Sequence, residues 1–160
     1  MRHALIYKKA ELIDHFIDVY KQAMKRRSFP HQAVGTVIGL LFPGSAPSGR
    51  GVFKTVHRVS SRERDLVLKT SSRRNLQVDE RAYKRLPANV RNRYFAKIYW
   101  RTKYCLLQKY GTAGPVPPAR LAKLETVAKR HGLTDIRPAN IRRVGRVFKI
   151  ADANISKRRR

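Results

Sequence analysis

The sequence predicts an α+β fold that combines amphipathic helices with short antiparallel strands. Apolar residues recur at i, i+3 and i+4 over 9–27 and again over 76–86, which is the spacing of a helix with one buried face. Residues 51–59 and 65–70 are short apolar or alternating segments, and the polar residues 60–63 join them as in a β-hairpin. Both element types are therefore expected in the first half of the chain.

Further strands complete the predicted sheet. Thr36 to Leu41 is a short run of β-branched and apolar residues, which favours a strand. The Gly-, Pro- and Ser-rich residues 43–51 after it favour a loop. Two more short strands are predicted over 95–99 and 103–108. With the hairpin they make five strands, which we expect to form an antiparallel sheet packed by the second helix.

The second half of the chain predicts a smaller, partly helical region. Residues 111–118 read as a linker, and a helix over 119–130 is expected to end at Gly132, a residue type that suits a helix C-cap. Residues 140–142 and 147–150 are expected to pair as another hairpin. The predicted elements of this region are therefore one helix followed by one hairpin.

The chain is strongly basic, with 37 Lys and Arg against 10 Asp and Glu and a formal net charge of +27. Such a charge attracts polyanions over a salt-dependent range. We therefore expect an anionic partner, which could be an acidic protein, a nucleic acid, or the headgroup of a lipid or lipopolysaccharide. Charge alone does not choose among them.

Several classes of protein are disfavoured by the residues present. Cys105 is the single cysteine, which excludes an intrachain disulfide, and no Cys or His spacing matches a metal site. No segment reaches the roughly 18 apolar residues of a membrane span. Charges interrupt the N-terminal apolar residues too often for a signal peptide. We therefore expect a cytoplasmic protein, with association with a membrane surface or export as an effector left open.

Residues that suit phosphoryl transfer occur in a defined order. Glycines flank the first loop, Lys69 follows in an apolar strand, and Glu80 lies on the next predicted helix. The segment D-I-R-P-A-N-I runs from Asp135 through Asn140, and K-I-A-D ends at Asp152. Phosphoryl transfer requires a cation on the phosphates, oxygen ligands for Mg²⁺ and a carboxylate near the attacking hydroxyl. These residue types meet those requirements.

This order resembles the protein-kinase superfamily. Val67-Leu68-Lys69 is similar to the strand that carries the phosphate-binding lysine, and Glu80 is similar to its helical ion-pair partner. Asp135 and Asn140 are five residues apart (140 − 135), as in the family's H-R-D-x-x-x-x-N loop, and Asp152 matches the aspartate of D-F-G. Small bacterial effector kinases and lipopolysaccharide or sugar kinases also shorten the C-terminal lobe, so the chain resembles a truncated member.

The resemblance implies a kinase-like architecture with a five-stranded antiparallel N-lobe sheet, one packed helix and a reduced helical C-lobe. Residues 1–30 would form an N-terminal amphipathic helix, 31–111 the N-lobe, and 112–160 a truncated C-lobe with the catalytic loop and a basic tail.

The resemblance also implies ATP and Mg²⁺ as cofactors. It implies catalytic roles for Asp135 and Asn140, and metal binding by Asn140 and Asp152. The implied ATP-binding residues are Gly39, Gly49, Gly51, Lys69, Glu80, Leu107 at the gatekeeper position, Gln108 and Tyr110.

The sequence departs from the family pattern at several positions. Leu133-Thr134 replace His-Arg, and Asp152-Ala153-Asn154 replace D-F-G. Six residues follow Asn154, too few for an activation segment or a helical platform for a peptide. The glycine loop is long and contains Pro43 and Pro47.

Three functions therefore stay open. The first is a minimal kinase that transfers the γ-phosphoryl group of ATP to a protein or to an anionic sugar or lipid. The second is a pseudokinase that acts as a nucleotide-binding or regulatory module. The third is a basic nucleic-acid-binding protein, in which aromatic residues such as Tyr94, Phe95 and Trp100 could stack on bases.

Overall fold

The structure is a computed structural model that describes residues 3–50, 54–59 and 65–156. This part of the chain is α+β, as predicted, with five α-helices and a five-stranded antiparallel sheet. The helices are α1 (Ala4–Ala23), α2 (His31–Leu41), α3 (Arg73–Arg85), α4 (Ala88–Tyr94) and α5 (Pro118–Arg130). The strands are β1 (Ala46–Arg50), β2 (Lys54–Arg58), β3 (Leu66–Ser71), β4 (Ile98–Arg101), β5 (Cys105–Lys109), β6 (Leu133–Thr134), β7 (Ile141–Val144), β8 (Val147–Ile150) and β9 (Asn154–Ile155).

The chain divides into two compact units, each with its own apolar core. The first unit comprises Met1–Leu76 and Tyr99–Gln108, and the second comprises Gln77–Ile98 and Lys109–Arg160. Helix α3 therefore runs from the first unit into the second. The predicted divisions after residues 30 and 111 instead fall in segments between elements.

The first unit contains the sheet, whose strand order is β1-β2-β3-β5-β4. The predicted β2–β3 hairpin is confirmed, with Val56 opposite Lys69 and His57 opposite Leu68. The turn residues 60–64 and residues 51–53 lie outside the described part of the chain. One face of the sheet shares a buried core with α1 and α2. Helices α1 and α2 therefore cover this face of the sheet.

Helix α1 is shifted relative to the predicted helix over 9–27. Its buried residues are Ile6, Ala10, Ile13 and Ile17, spaced by three or four positions. Leu12, one of the apolar residues in the predicted helix over 9–27, is 57% exposed and therefore lies outside this buried stripe. The helix ends at Ala23 because the backbone leaves helical geometry at Lys25, whose φ is +49°.

The strand predicted over Thr36–Leu41 is wrong, because these residues form the second half of α2. Val34 and Ile38 are four positions apart and buried in the core of the first unit. Burial of this helical face outweighs the modest strand preference of β-branched residues. Part of the loop predicted over 43–51 is instead strand β1, which contains an irregularity between Pro47 and Gly49.

Asp14 of α1 fixes the turn between β4 and β5. Its carboxylate accepts hydrogen bonds from the backbone N–H groups of Lys103 (2.9 Å) and Tyr104 (2.9 Å). The Thr102 hydroxyl donates a third bond of 3.1 Å. Burial raises the pKa of Asp14, and these hydrogen bonds oppose that rise. The carboxylate satisfies backbone donors that the turn itself leaves open.

The second unit is built around residues from α3, α4, α5 and the short strands that follow them. A helix, α4, follows Pro87, where the sequence pattern predicted only the end of the preceding helix. The Pro87 carbonyl accepts a 2.8 Å hydrogen bond from the Arg91 N–H, so the proline starts α4. Helix α5 ends as predicted at Gly132, whose φ of +68° favours glycine.

The β7–β8 hairpin is confirmed, and its turn contains Gly145 at φ +63°. Gly111 packs tightly beside β7, since a Cβ placed there would lie 2.6 Å from the Cβ of Arg142. Within the described residues, no helix is long and apolar enough to cross a bilayer.

Candidate functional site

Lys69 lies on β3 in the first unit and is only 6% exposed. Side chains alternate between faces along a strand. Leu66 and Leu68 belong to the core shared with the N-terminal helices, so Lys69 points from the opposite face. Burying an ammonium group is unfavourable unless polar or charged groups compensate it. Lys69 therefore depends on polar or charged neighbours at this position.

Leu107 does not share the face of Lys69. It is fully buried in the core with α1 and α2, together with Cys105. By alternation, Leu106 and Gln108 of the neighbouring strand β5 lie on the Lys69 face, and both are almost fully buried. The gatekeeper interpretation of Leu107 therefore conflicts with its orientation, while Gln108 lies on the face expected for a ligand-binding residue.

The predicted phosphate-binding glycines are separated by secondary structure. Gly39 is in α2, so it does not border a loop as the predicted strand over 36–41 required. Gly49 lies in β1, opposite Val56 of β2. Gly51 lies outside the described residues. The structure therefore gives this loop a different start from the one expected, and a phosphate-binding role for these glycines stays a prediction.

Helix α3 carries two adjacent carboxylates in different environments. Glu80 forms an ion pair with Lys84, with 2.8 Å between Oε1 and Nζ, and its side chain is 23% exposed. Asp79 is 4% exposed. Successive helical residues are about 100° apart, and Asp79 shares the buried stripe with Leu76 and Tyr83. Asp79 is not among the predicted site residues, although its phase relative to these apolar residues indicates burial.

The D-I-R-P-A-N segment brings Asp135 and Asn140 into direct contact in the second unit. The Asn140 side-chain Nδ2 donates to the Asp135 backbone carbonyl at 2.8 Å and to its carboxylate Oδ2 at 3.0 Å. Arg137 Nε lies 3.1 Å from the other oxygen, Oδ1. Both carboxylate oxygens are thus oriented by partners from the same six-residue segment.

Asp135 also has an unusual backbone conformation, with φ at +64°. This left-handed region is disfavoured for residues other than glycine, although Asp and Asn tolerate it better than most. Such strain persists where surrounding structure holds it, often at functional sites. Here the hydrogen bonds from Asn140 and the strand β6 before Asp135 hold it.

Strand pairing and backbone hydrogen bonds place Asp152 next to this segment. Strands β6 and β9 are antiparallel, with Thr134 opposite Asn154. Asp135 follows β6 and Asp152 precedes β9, so both aspartates lie at the same end of this pair. The Asn140 carbonyl accepts hydrogen bonds from the N–H groups of Ala151 (2.8 Å) and Asp152 (3.3 Å). The structure thereby brings together all three predicted catalytic and metal-binding residues of the second unit.

The chemistry of these side chains suits Mg²⁺. The Nδ2 atom of Asn140 donates to Asp135, which leaves its amide Oδ1 as the atom that can ligate a cation. Asp152 supplies a carboxylate, and Mg²⁺ commonly takes one or two protein oxygen ligands together with phosphates and water. No group of three or more His, Cys, Asp or Glu residues suited to a metal occurs among the residues described.

The other predicted residues lie in both units. Lys69, Leu107 and Gln108 belong to the first unit, and Glu80 and Tyr110 belong to the second. Tyr110 follows β5 and is half-buried. Cys105, the free thiol, is buried, and desolvation raises its pKa well above the usual value, which disfavours a nucleophilic thiolate.

Comparison with known proteins adds no family to this description, since no family model matches the sequence and no curated protein shows significant similarity to it.

Proposed function

We propose that this chain is a minimal kinase-like phosphotransferase that uses ATP and Mg²⁺. The observation that carries the proposal is the contact of Asp135 with Asn140 beside Asp152. A carboxylate for the attacking hydroxyl and oxygen ligands for Mg²⁺ are the groups that phosphoryl transfer requires. Two antiparallel strand pairs flank these groups, and Asp135 among them has a backbone φ of +64°.

Each residue would have a distinct role. Asp135 would accept a hydrogen bond from the acceptor hydroxyl and orient it, with its own carboxylate positioned by Asn140 and Arg137. Asn140 Oδ1 and the Asp152 carboxylate would hold Mg²⁺, which neutralises phosphate charge when bound. Lys69 would bind the phosphates of ATP. The phosphoacceptor is a protein or an anionic sugar or lipid, which the charge of +27 would attract.

Calorimetric titration of ATP with and without Mg²⁺ tests the nucleotide part of the proposal. Asp152→Ala should remove the Mg²⁺ dependence of ATP binding, whereas Asn154→Ala, an exposed position two residues later, should retain it. Lys69→Met should weaken ATP binding about tenfold or more, because it removes a charge-assisted contact to phosphate. Lys123→Met on the exposed face of α5 is the matched control.

The two carboxylates of α3 give a sharper version of this test. The sequence resemblance makes Glu80 the ion-pair partner of the phosphate-binding lysine. Asp79, however, is the more buried of the two carboxylates of α3. We expect Asp79→Asn to lower ATP affinity more than Glu80→Gln. The reverse order would restore the assignment to Glu80.

The alternative functions predict different outcomes. A pseudokinase would bind ATP without turning it over, even though Asp135 is intact. A nucleic-acid-binding protein would show no ATP binding and would bind oligonucleotides with a steep salt dependence that Lys69 and Asp152 substitutions leave unchanged. Unchanged ATP affinity in Asp152→Ala with Mg²⁺ present would contradict the kinase proposal.

A further inference from the structure

A basic cleft in the second unit has no role in the proposed phosphoryl transfer. This open cleft has a volume of about 620 Å³ and is lined by Arg93, Arg120, Arg146, Val147, Phe148 and Lys149. This volume is within the range of sites for small organic ligands. The four cations come from α4, α5, the β7–β8 turn and β8.

Protein contacts orient most of these cations. Arg120 Nη2 donates a 2.9 Å hydrogen bond to the Phe148 carbonyl, and Lys149 Nζ donates one of 2.7 Å to the Asn92 carbonyl. The guanidinium carbons of Arg93 and Arg120 lie 5.4 and 5.5 Å from the centroid of the Tyr94 ring. These distances allow cation–π attraction, so one buried aromatic ring orients two guanidinium groups.

The cleft is positively charged. Among the residues described, no acidic side chain lines it and none of its four cations forms an ion pair with Asp or Glu. Burial and the positive charge of Arg120 lower the pKa of Lys149. Like charges this close repel one another, so an anionic ligand would stabilise the cleft.

We propose that this cleft binds the phosphate group of a small phosphorylated molecule. Guanidinium groups match phosphate oxygens with paired N–H donors, and three of the four cations are arginines. Val147 and Phe148 provide an apolar surface for the remainder of the ligand. The four cations line one concave site, whereas binding along a nucleic-acid backbone requires cations that follow an extended groove. The inference is independent of ATP binding at Lys69.

Calorimetric titration with inorganic pyrophosphate in the absence of Mg²⁺ tests this proposal. The double variant Arg93→Gln/Arg146→Gln should bind pyrophosphate at least about tenfold more weakly, because it removes charge-assisted hydrogen bonds. Lys123→Gln/Lys129→Gln removes the same charge from exposed positions on α5 and should change affinity by no more than about twofold. Lys69→Met should remove only pyrophosphate bound at the proposed nucleotide site, so the binding component that depends on Arg93 and Arg146 should remain in that variant.

NMR spectra localise the bound anion and report folding in the same experiment. In the wild type, pyrophosphate should shift the amide signals of residues 146–149, and these shifts should disappear in the Arg93→Gln/Arg146→Gln variant while its other signals stay native. No pyrophosphate binding by the wild type, equal weakening by both double variants, or loss of binding only in Lys69→Met would overturn the proposal. So would a dependence on Arg93 and Arg146 that appears only with a single-stranded oligonucleotide.

Discussion

Two aspartates in different units show how similar hydrogen bonding can produce different sites. Asp14 receives three hydrogen bonds from the β4–β5 turn, and that turn is thereby attached to α1. Asp135 is held by Asn140 and Arg137, but its side chain is 34% exposed and its φ is +64°. The first carboxylate completes a turn by accepting hydrogen bonds from its donors. The second remains accessible on a strained backbone, which suits contact with a substrate.

The largest expected effect is a loss of activity, which would distinguish the role of Asp135 from that of Asp14. Asp135→Asn keeps an acceptor for the Asn140 amide but loses the carboxylate, so phosphoryl transfer should fall by about 10²–10⁴-fold with little change in stability. Turnover of γ-labelled ATP, measured beside thermal melting, gives both quantities. Turnover equal to the wild type would place the chemistry elsewhere or favour a pseudokinase.

Substitution at the other aspartate should affect stability instead. Asp14→Ala leaves the N–H groups of Lys103 and Tyr104 without their acceptor. The free energy of unfolding should fall by about 1–3 kcal/mol, because three hydrogen bonds to this carboxylate are lost. Chemical denaturation measures this change, and Glu11→Ala on the exposed side of α1 serves as the control. A loss as small as that of the control would mean that the turn does not depend on Asp14.

A glycine pair tests how tightly the region near Asn140 is packed. Gly111→Ala would place a Cβ 2.6 Å from the Arg142 Cβ and 3.0 Å from the Arg143 carbonyl oxygen. We expect a destabilisation of about 1–3 kcal/mol, since the backbone must shift. Gly114→Ala has no atom within 4 Å of the added Cβ and should have little effect. Equal denaturation midpoints for the two variants would show that this contact can relax.

The smallest expected effect is the pH dependence of the carboxylates of α1. Burial raises the pKa of Asp14 in the folded protein above its ordinary value of 3.8. The resulting contribution to stability is therefore fully present below pH 3.8 and is lost as the pH rises through the pKa of the folded state. Burial also opposes ionisation of Asp18, but hydrogen bonds from Lys103 and Tyr104 lower its pKa below 3.8. Its contribution is therefore present above pH 3.8 and is lost as pH falls through the folded value.

Carboxyl NMR titration measures both pKa values directly. Denaturation should show that Asp14→Asn is more destabilising in acid than at neutral pH, whereas Asp18→Asn should show the reverse trend. The Asp18 effect should be about 1 kcal/mol or less, since this ion pair with Lys103 is 44% exposed on the aspartate. Parallel pH trends in the two variants would contradict the opposite pKa directions.

Local sequence patterns were sufficient to predict the elements whose geometry depends on residues adjacent in the chain. The β2–β3 and β7–β8 hairpins and the end of α5 at Gly132 follow from alternation and from turn glycines, and all occur as predicted. Asp135 and Asn140, which their spacing singled out, contact each other in the structure, and both belong to one six-residue segment. A short segment has few conformations that satisfy its own polar groups.

Tertiary structure decided the features for which local preferences are weak or ambiguous. The apolar segment Thr36–Leu41 is compatible with either element type and becomes helical because Val34 and Ile38 pack into the first core. The orientation of Leu107 away from the Lys69 face depends on strand register, and a shift of one residue would reverse it. The basic cleft gathers residues from four elements, so only the folded chain brings its charges together.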